Sequence, residues 1–190
     1  MCLPICYYLP RIRDAVSNAR RLLEAFRSAK GEIIYTRHGA LLKDGRDMIL
    51  RRQRRDSESC ERTDQPTLWA KGSHEHEVIA ELAPLDDELV IDKNASSPFN
   101  GTGIDQLLRN MGIETLVMIG MATDMCVETT ARDAADRGYN VIVVEDSVAT
   151  FVPEHHRAAL SALARVYTQV WTTRSEEHTS ELPSRPMLVC

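Results

Sequence analysis

Short β-rich apolar runs alternate with amphipathic helical segments along most of this chain, and that alternation constrains its fold more than any other feature. Runs typical of buried parallel strands occur at 32–36, 89–92, 115–119 and 140–144. A first helical face is marked by apolar residues at helical spacing: Ile12, Ala15, Val16, Ala19, Leu22, Leu23 and Phe26. The alternation predicts a three-layer α/β/α fold, in which helices cover both faces of a doubly wound, mostly parallel sheet.

Capping residues and alternation predict two further helices and one further strand. Ser73 is positioned to cap a helix that carries Val78 and Leu82. Pro153 suits the first turn of a later helix, and the alternation over 166–171 predicts an edge strand.

One cysteine, Cys126, lies where the strand predicted at 115–119 is succeeded by a helix. The helix is indicated by small or apolar residues at helical spacing after it: Val127, Thr130, Ala131, Ala134 and Ala135. Free backbone N–H groups and the helix dipole favour an anion at such a turn, and a thiolate there is a candidate nucleophile. The alternative is a small buried core cysteine.

Other polar residues follow the ends of neighbouring predicted strands. Lys93 comes directly after 89–92, and the segment 36–38 ends the strand that begins at residue 32. Because ligands of such sheets bind beyond the carboxyl ends of the strands, these residues and Cys126 are expected to meet in one crevice. Lys93 could there stabilise a thiolate and orient a carbonyl, or it could be a plain surface charge.

Length and composition restrict the class of protein. With 190 residues, of which 43% are hydrophobic, the chain is expected to form one domain with a full-sized core. The formal net charge of −5 argues against nucleic acid or an anionic membrane as partner, and no apolar run approaches the ~20 residues that cross a bilayer. The five cysteines are scattered without a C-x-x-C pair, which favours a reducing, cytoplasmic setting.

Two polar clusters give weaker signals. His74 and His76 lie two residues apart and would not share a helical face, so we interpret neither as a metal ligand and expect no metal or cofactor. The basic run at 51–55 is interpreted as a solvent-exposed loop, with a lid that binds a substrate carboxylate as the alternative.

Three longer patterns surround the predicted crevice. A lysine precedes a Ser-x-Phe-x-x-Thr turn: Lys93, Ser97, Phe99 and Thr102. A Gly-x-x-Thr-x-x-Cys-Val-x-x-Thr-Ala stretch follows: Gly120, Thr123, Cys126, Val127, Thr130 and Ala131. A Gly-Tyr-x-Val-x-Val-x-x-Asp stretch comes next: Gly138, Tyr139, Val141, Val143 and Asp146. On these residues the chain resembles, over about 11–173, the isochorismatase-like cysteine hydrolases, which include N-carbamoylsarcosine amidases, ureidoacrylate amidohydrolases and nicotinamidases.

The resemblance implies a catalytic site and a reaction. Cys126 would attack a small amide, ureido or carbamoyl compound and cleave its C–N bond through a thioester acyl-enzyme, with Lys93 holding thiolate and substrate. Backbone N–H groups of Ala122 and Cys126 would form the oxyanion hole, with a cis peptide bond before Ala122. The implied pocket candidates are Arg37, His38, Phe99 and Met121. The family also includes vinyl-ether-cleaving isochorismatases, non-catalytic binding homologues are a further alternative, and homo-oligomers are common in it.

The chain departs from the family at its beginning. The family's third catalytic residue, an aspartate that ends the first and central strand, has no counterpart in the aberrant segment 1–10. The central strand is therefore missing or replaced, and 5–9 is the candidate substitute between the strands ending at Thr36 and Ile119. We interpret the chain as a damaged copy of a cysteine hydrolase with a truncated or misassembled start, and an evolved inactive form is the alternative. Without the aspartate, no group is evident to take the thiol proton and pass it to the leaving amine. The nicotinamidase metal pattern is also missing after the second strand, which argues against nicotinamide as substrate.

The end of the chain also departs from the family pattern. After Thr173 the sequence loses all periodicity, and it resembles a translated sequencing-library adapter. Residues 11–173 are therefore expected to form the hydrolase domain, and 174–190 a non-native, disordered tail.

Overall fold

A computed structural model describes residues 10–50, 69–176 and 186–189. Its strands are β1 (Glu32–His38), β2 (Leu89–Lys93), β3 (Thr115–Met121), β4 (Asn140–Ala149), β5 (Gln169–Trp171) and β6 (Pro186–Val189). Its α-helices are α1 (Pro10–Ser28), α2 (Ile104–Asn110), α3 (Glu128–Asp136), α4 (Pro153–Val166) and α5 (Thr173–Glu176). The strands form one six-stranded sheet, in the order β2-β1-β6-β3-β4-β5, with every neighbouring pair parallel.

The sheet lies between two helical layers. Helix α1 covers one face with Leu22, Leu23 and Phe26, which pack against alternate strand residues such as Val117 and Leu188. The opposite face is covered by α2, α3 and α4, whose apolar residues share a core with Leu116 and Met118 of β3. The alternation of strand side chains between the two cores is the period-2 geometry of a sheet buried on both faces. The predicted three-layer α/β/α fold is confirmed.

The central position of the sheet is filled by β6, from the end of the chain. Met187 pairs with Glu32 of β1 on one side and with Leu116 of β3 on the other, and Met187 and Leu188 are fully buried. The expectation that 174–190 is a disordered tail is therefore wrong for Pro186–Val189. A four-residue apolar segment shows no periodicity of its own, but strands on both sides satisfy its backbone groups and the two cores take up its side chains.

The missing central strand was correctly placed between β1 and β3, but its replacement comes from the opposite end of the chain. Residues 5–9, the predicted substitute, lie outside the described residues.

The helix predicted after Ser73 is also wrong. Two short 3₁₀ turns, His74–His76 and Ala80–Leu82, stand in its place, separated by extended backbone at Glu77. Leu82 still packs against the core beneath α1, so the apolar spacing reflected burial rather than a continuous helix. At the other edge of the sheet, β5 is confirmed as an edge strand, although α4 extends to Val166.

The strands end at different levels around β6. Val189 is paired with Ile34 of β1 and Met118 of β3, whereas β1 continues to His38 and β3 to Met121. The carboxyl ends of β1 and β3 therefore extend beyond Val189, the last described residue of β6. This edge is where ligands bind in open parallel sheets.

Candidate active site

Cys126 lies in the turn that joins β3 to α3. A cis peptide bond links Met121 to Ala122, as the family resemblance implied. A π-helical turn over Thr123–Val127 follows and runs directly into α3. The Ala122 carbonyl closes this turn by accepting hydrogen bonds from the backbone N–H groups of Met125 and Val127, both at 3.1 Å. The predicted strand-to-helix position of Cys126 is confirmed.

Cys126 is partly exposed and opens onto a cavity at the carboxyl edge of the sheet. The cavity is bounded by the ends of β1, β3 and β6 and by the start of α3. Its described lining residues are Thr36, Met118, Met121, Cys126, Val127, Thr130 and Val189. Thr36 of β1 and Cys126 of the turn after β3 thus line the same cavity.

The first turn of α4 contacts the turn that carries Cys126 through two polar side-chain pairs. Thr123 Oγ1 and His156 Nδ1 share a buried hydrogen bond of 2.9 Å. The neighbouring His155 Nδ1 lies 3.4 Å from Asp124 Oδ2. Burial lowers the pKa of His156, helped by the nearby cations of Arg11 and Arg157, so the ring is neutral at pH 7. No spacing rule in the sequence pointed to these contacts, which join residues about 30 positions apart.

Lys93 ends β2 and is buried, with 2% of its surface exposed. Its ammonium group donates hydrogen bonds to the carbonyls of Ala95 (3.2 Å) and Ser96 (2.6 Å). Lys93 pairs with His38 across the β1–β2 ladder, so these two strand ends are neighbours. Lys93 is not among the described residues that line the cavity, and its role toward Cys126 stays a prediction.

Arg37, a predicted pocket residue, belongs instead to an ion-pair cluster at the β1–β2 ends. Its guanidinium group donates to Asp92 (2.8 Å) and Glu77 (2.6 Å), and Lys71 lies 2.8 Å from the other Asp92 oxygen. Burial acts to raise the pKa of Asp92, but the hydrogen bonds from Lys71 and Arg37 outweigh it and hold the pKa below its usual value. The Arg37 charge is therefore matched within this cluster.

His76 is buried beside this cluster, with Nε2 3.8 Å from Asp92 Oδ1. Burial lowers its pKa, and neither of its ring nitrogens has a hydrogen-bond partner among the described residues. A neutral ring is the state that such burial favours.

The other predicted pocket residues divide between cavity and core. Met121 lines the cavity. His38 Nδ1 lies 3.1 Å from the Ala95 carbonyl oxygen, which positions its ring against the loop after β2. Phe99 is buried in the core, where its ring contacts Tyr139 at a centroid distance of 5.9 Å and the Arg137 guanidinium lies 4.9 Å from its centroid. The described cavity lining includes neither His38 nor Phe99, and their roles in binding stay predictions.

The described residues lack two features of other protein classes, a metal-binding cluster and a membrane-spanning helix. Within 10–50, 69–176 and 186–189, no three His, Cys, Asp or Glu side chains are grouped to hold a metal ion. No helix in the described part of the chain is both long and apolar enough to span a bilayer. The basic run at 51–55 lies outside the described residues.

Known proteins resemble the chain over most of its length. The isochorismatase domain matches residues 5–175. An uncharacterized isochorismatase family protein, YwoC of Bacillus subtilis, is 33% identical over 147 residues, covering 77% of this chain and 73% of its own. Ureidoacrylate amidohydrolase RutB of Methylobacterium radiotolerans is 38% identical over 119 residues, covering 62% of this chain; the match spans 46% of the RutB chain.

Solved structures share the fold. N-carbamoylsarcosine amidase from Thermoplasma acidophilum superposes with a TM-score of 0.68 and 33% identity, covering 87% of this chain and 86% of that one. An isochorismatase family protein from Desulfovibrio vulgaris superposes with a TM-score of 0.80, covering 88% and 85% of the two chains. Its 24% identity supports the fold alone.

Proposed function

Since the chain belongs to the isochorismatase family, we propose that it is a cysteine hydrolase that cleaves the C–N bond of a small amide, ureido or carbamoyl compound. The observation that carries the proposal is the position of Cys126 at the β3-to-α3 turn, open to the cavity at the carboxyl edge of the sheet. The relatives named ureidoacrylate amidohydrolase and N-carbamoylsarcosine amidase support this type of bond.

The proposed reaction has two steps. The Cys126 thiol gives up its proton and attacks the carbonyl carbon as the thiolate, the C–N bond breaks, and the amine leaves with that proton, which forms a thioester. Water then attacks the thioester, which releases the acid and restores the thiol. Backbone N–H groups of Ala122 and Cys126 stabilise the oxyanion in both steps, and one such donor is typically worth ~3 kcal/mol. Lys93 holds the thiolate and orients the substrate.

This mechanism also requires an acid–base group that carries the proton from the thiol to the leaving amine. The described residues that line the cavity include no carboxylate, so none of them is placed to move a proton from the thiol to the leaving amine. Loss of a general acid–base group usually costs ~10²–10⁴-fold in rate. The same observation favours a second candidate, a homologue that binds a small molecule in this cavity without hydrolysing it.

Ammonia release from a panel of small amides, ureas and carbamoyl compounds tests the proposal. The wild-type protein is compared with Cys126→Ser and with Met125→Ala, a control at an exposed neighbour in the same turn. We expect release from the wild type and the control, loss with Cys126→Ser, and an acyl adduct on Cys126 by mass spectrometry. Release that persists in Cys126→Ser would contradict the proposal. Binding of a panel compound by calorimetry without any release would favour the second candidate.

A further inference from the structure

We propose that His156 is a positioning residue that regulates the proposed hydrolysis: its hydrogen bond to Thr123 holds the turn that carries Cys126, and mild acid releases that turn. This regulation rests on the proposed function and acts on the same site. It does not depend on which amide is cleaved, because it concerns the conformation of the turn that carries the nucleophile.

The Cys126 turn, Thr123–Val127, is held from two sides. On the α3 side, the Thr130 hydroxyl donates to the Cys126 carbonyl at 2.6 Å. On the α4 side, His156 Nδ1 lies 2.9 Å from Thr123 Oγ1. This second contact is buried, since Thr123 has no exposed surface and His156 is only 8% exposed. Because Thr123 begins the turn, a shift of the His156 ring moves the backbone that leads into Cys126.

His155, the residue before His156, also contacts the turn, but from the surface. Its Nδ1 lies 3.4 Å from Asp124 Oδ2, and 61% of its side chain is exposed. Solvent screens an exposed pair of this kind, so the pair adds little to the stability of the turn. The buried hydrogen bond between His156 and Thr123 is therefore the stronger link between α4 and the turn.

Protonation of His156 would place a positive charge in this buried contact. Among the described residues, the charged groups that act on the ring are Arg11 of α1, Arg157 of α4 and Asp124 of the turn. Burial and the two arginines lower the pKa of His156, and the Asp124 carboxylate opposes them less strongly. A charged ring is solvated better in water than in this contact, so acid favours conformations in which the ring leaves Thr123.

Loss of this contact is expected to lower the reactivity of Cys126. A thiolate at a strand-to-helix turn is stabilised by backbone N–H groups that point towards it, and these groups lose their alignment when the turn loosens. The oxyanion of the proposed reaction depends on the same alignment. The reactivity of Cys126 should therefore fall in mild acid more steeply than titration of the thiol alone would cause.

The rate of Cys126 alkylation by iodoacetamide measures this effect without requiring turnover. Site-resolved mass spectrometry gives the second-order rate between pH 7.5 and 5, and circular dichroism verifies at each pH that the chain stays folded. His156→Asn keeps a side-chain amide close to the position of Nδ1 but does not titrate. The ratio of its rate to the wild-type rate cancels the titration of the thiol, which both proteins share. We expect this ratio to rise about threefold or more between pH 7.5 and pH 5, a change that a merely structural role would not produce.

A matched control and a second variant locate the effect. His155→Asn makes the same change at the exposed neighbour, and its ratio to the wild type should not vary with pH. Thr123→Val removes the hydroxyl and keeps a branched side chain of similar size. Its rate should lie below the wild-type rate at pH 7.5 and approach it at pH 5, where the contact is already lost.

Several outcomes would overturn the inference. They are a His156→Asn ratio that does not vary with pH, an equal rise with His155→Asn, and no reaction of Cys126 in the wild type at any pH. If His156→Asn does not fold, Thr123→Val decides by itself, and a rate equal to the wild-type rate at pH 7.5 would overturn the positioning role.

Ammonia release separates this inference from the proposed function. If the wild type cleaves an amide of the panel, Thr123→Val should lower kcat about tenfold at pH 7.5 with little change in KM. An unchanged kcat would support hydrolysis while overturning the positioning role. If no compound is cleaved, hydrolysis is contradicted, and the pH dependence of alkylation still decides whether His156 positions the turn.

Discussion

Leu188 provides the most direct test of the central strand. The substitution Leu188→Ala removes a side chain with no exposed surface, which packs in the core beneath Leu22, Leu23 and Phe26 of α1. Buried Leu→Ala changes cost 2–5 kcal/mol, because the lost transfer free energy adds to that of the cavity left behind. We expect the free energy of unfolding to fall by about 3 kcal/mol.

Urea denaturation followed by circular dichroism measures this change. With a slope of about 2 kcal/mol per molar urea, the midpoint should fall by about 1.5 M while the slope stays the same. Leu85→Ala is the matched control, since Leu85 is 51% exposed, and it should change the free energy of unfolding by less than about 0.5 kcal/mol. If Leu188→Ala is as mild as this control, β6 does not occupy the centre of the sheet. That result would restore the interpretation of 174–190 as a dispensable tail.

Three further substitutions test the site and its supports. Burial lowers the pKa of His156 from the usual 6.5, so the unfolded chain takes up the proton first and stability falls as pH drops below about 6.5. His156→Gln should flatten that fall between pH 6.5 and 5 by up to about 1.4 kcal/mol per pH unit, and an unchanged slope in urea titrations would refute a neutral ring. Asp92→Asn should lower the free energy of unfolding by about 1–3 kcal/mol because it leaves Arg37 and Lys71 without their shared carboxylate, whereas exposed Glu77→Gln should cost under about 0.5. Lys93→Met keeps much of the side-chain volume and should lower kcat for ammonia release about 10²–10³-fold with little change in KM. A higher KM with an unchanged kcat would instead indicate a role in substrate binding alone.

Much of the fold follows from local patterns. The strands β1 to β4 were placed from short β-rich runs, since burial on both faces of a parallel sheet demands nearly continuous apolar residues. The order of strand and helix then restricted the topology to a doubly wound sheet. The helix expected after Ser73 failed because apolar spacing there reports burial, and a pair of 3₁₀ turns presents the same side chains to the core.

The candidate site was only partly predictable. The position of Cys126 follows from where a strand run stops and helical spacing starts, so a local pattern suffices. Arg37 was a reasonable pocket residue on position alone, yet its partners Asp92 and Glu77 come from distant segments. Which charges are matched depends on tertiary contacts that no spacing rule contains.

The sequence by itself determined the three-layer architecture and the nucleophile's place at a strand-to-helix turn, because both depend on the periodicity of nearby residues. Only the tertiary structure decided that Pro186–Val189 fills the centre of the sheet. It also decided that the Arg37 charge is paired with Asp92 and Glu77. Both depend on which chain segments become neighbours, since a short strand is stabilised by pairing and burial and not by its own propensity.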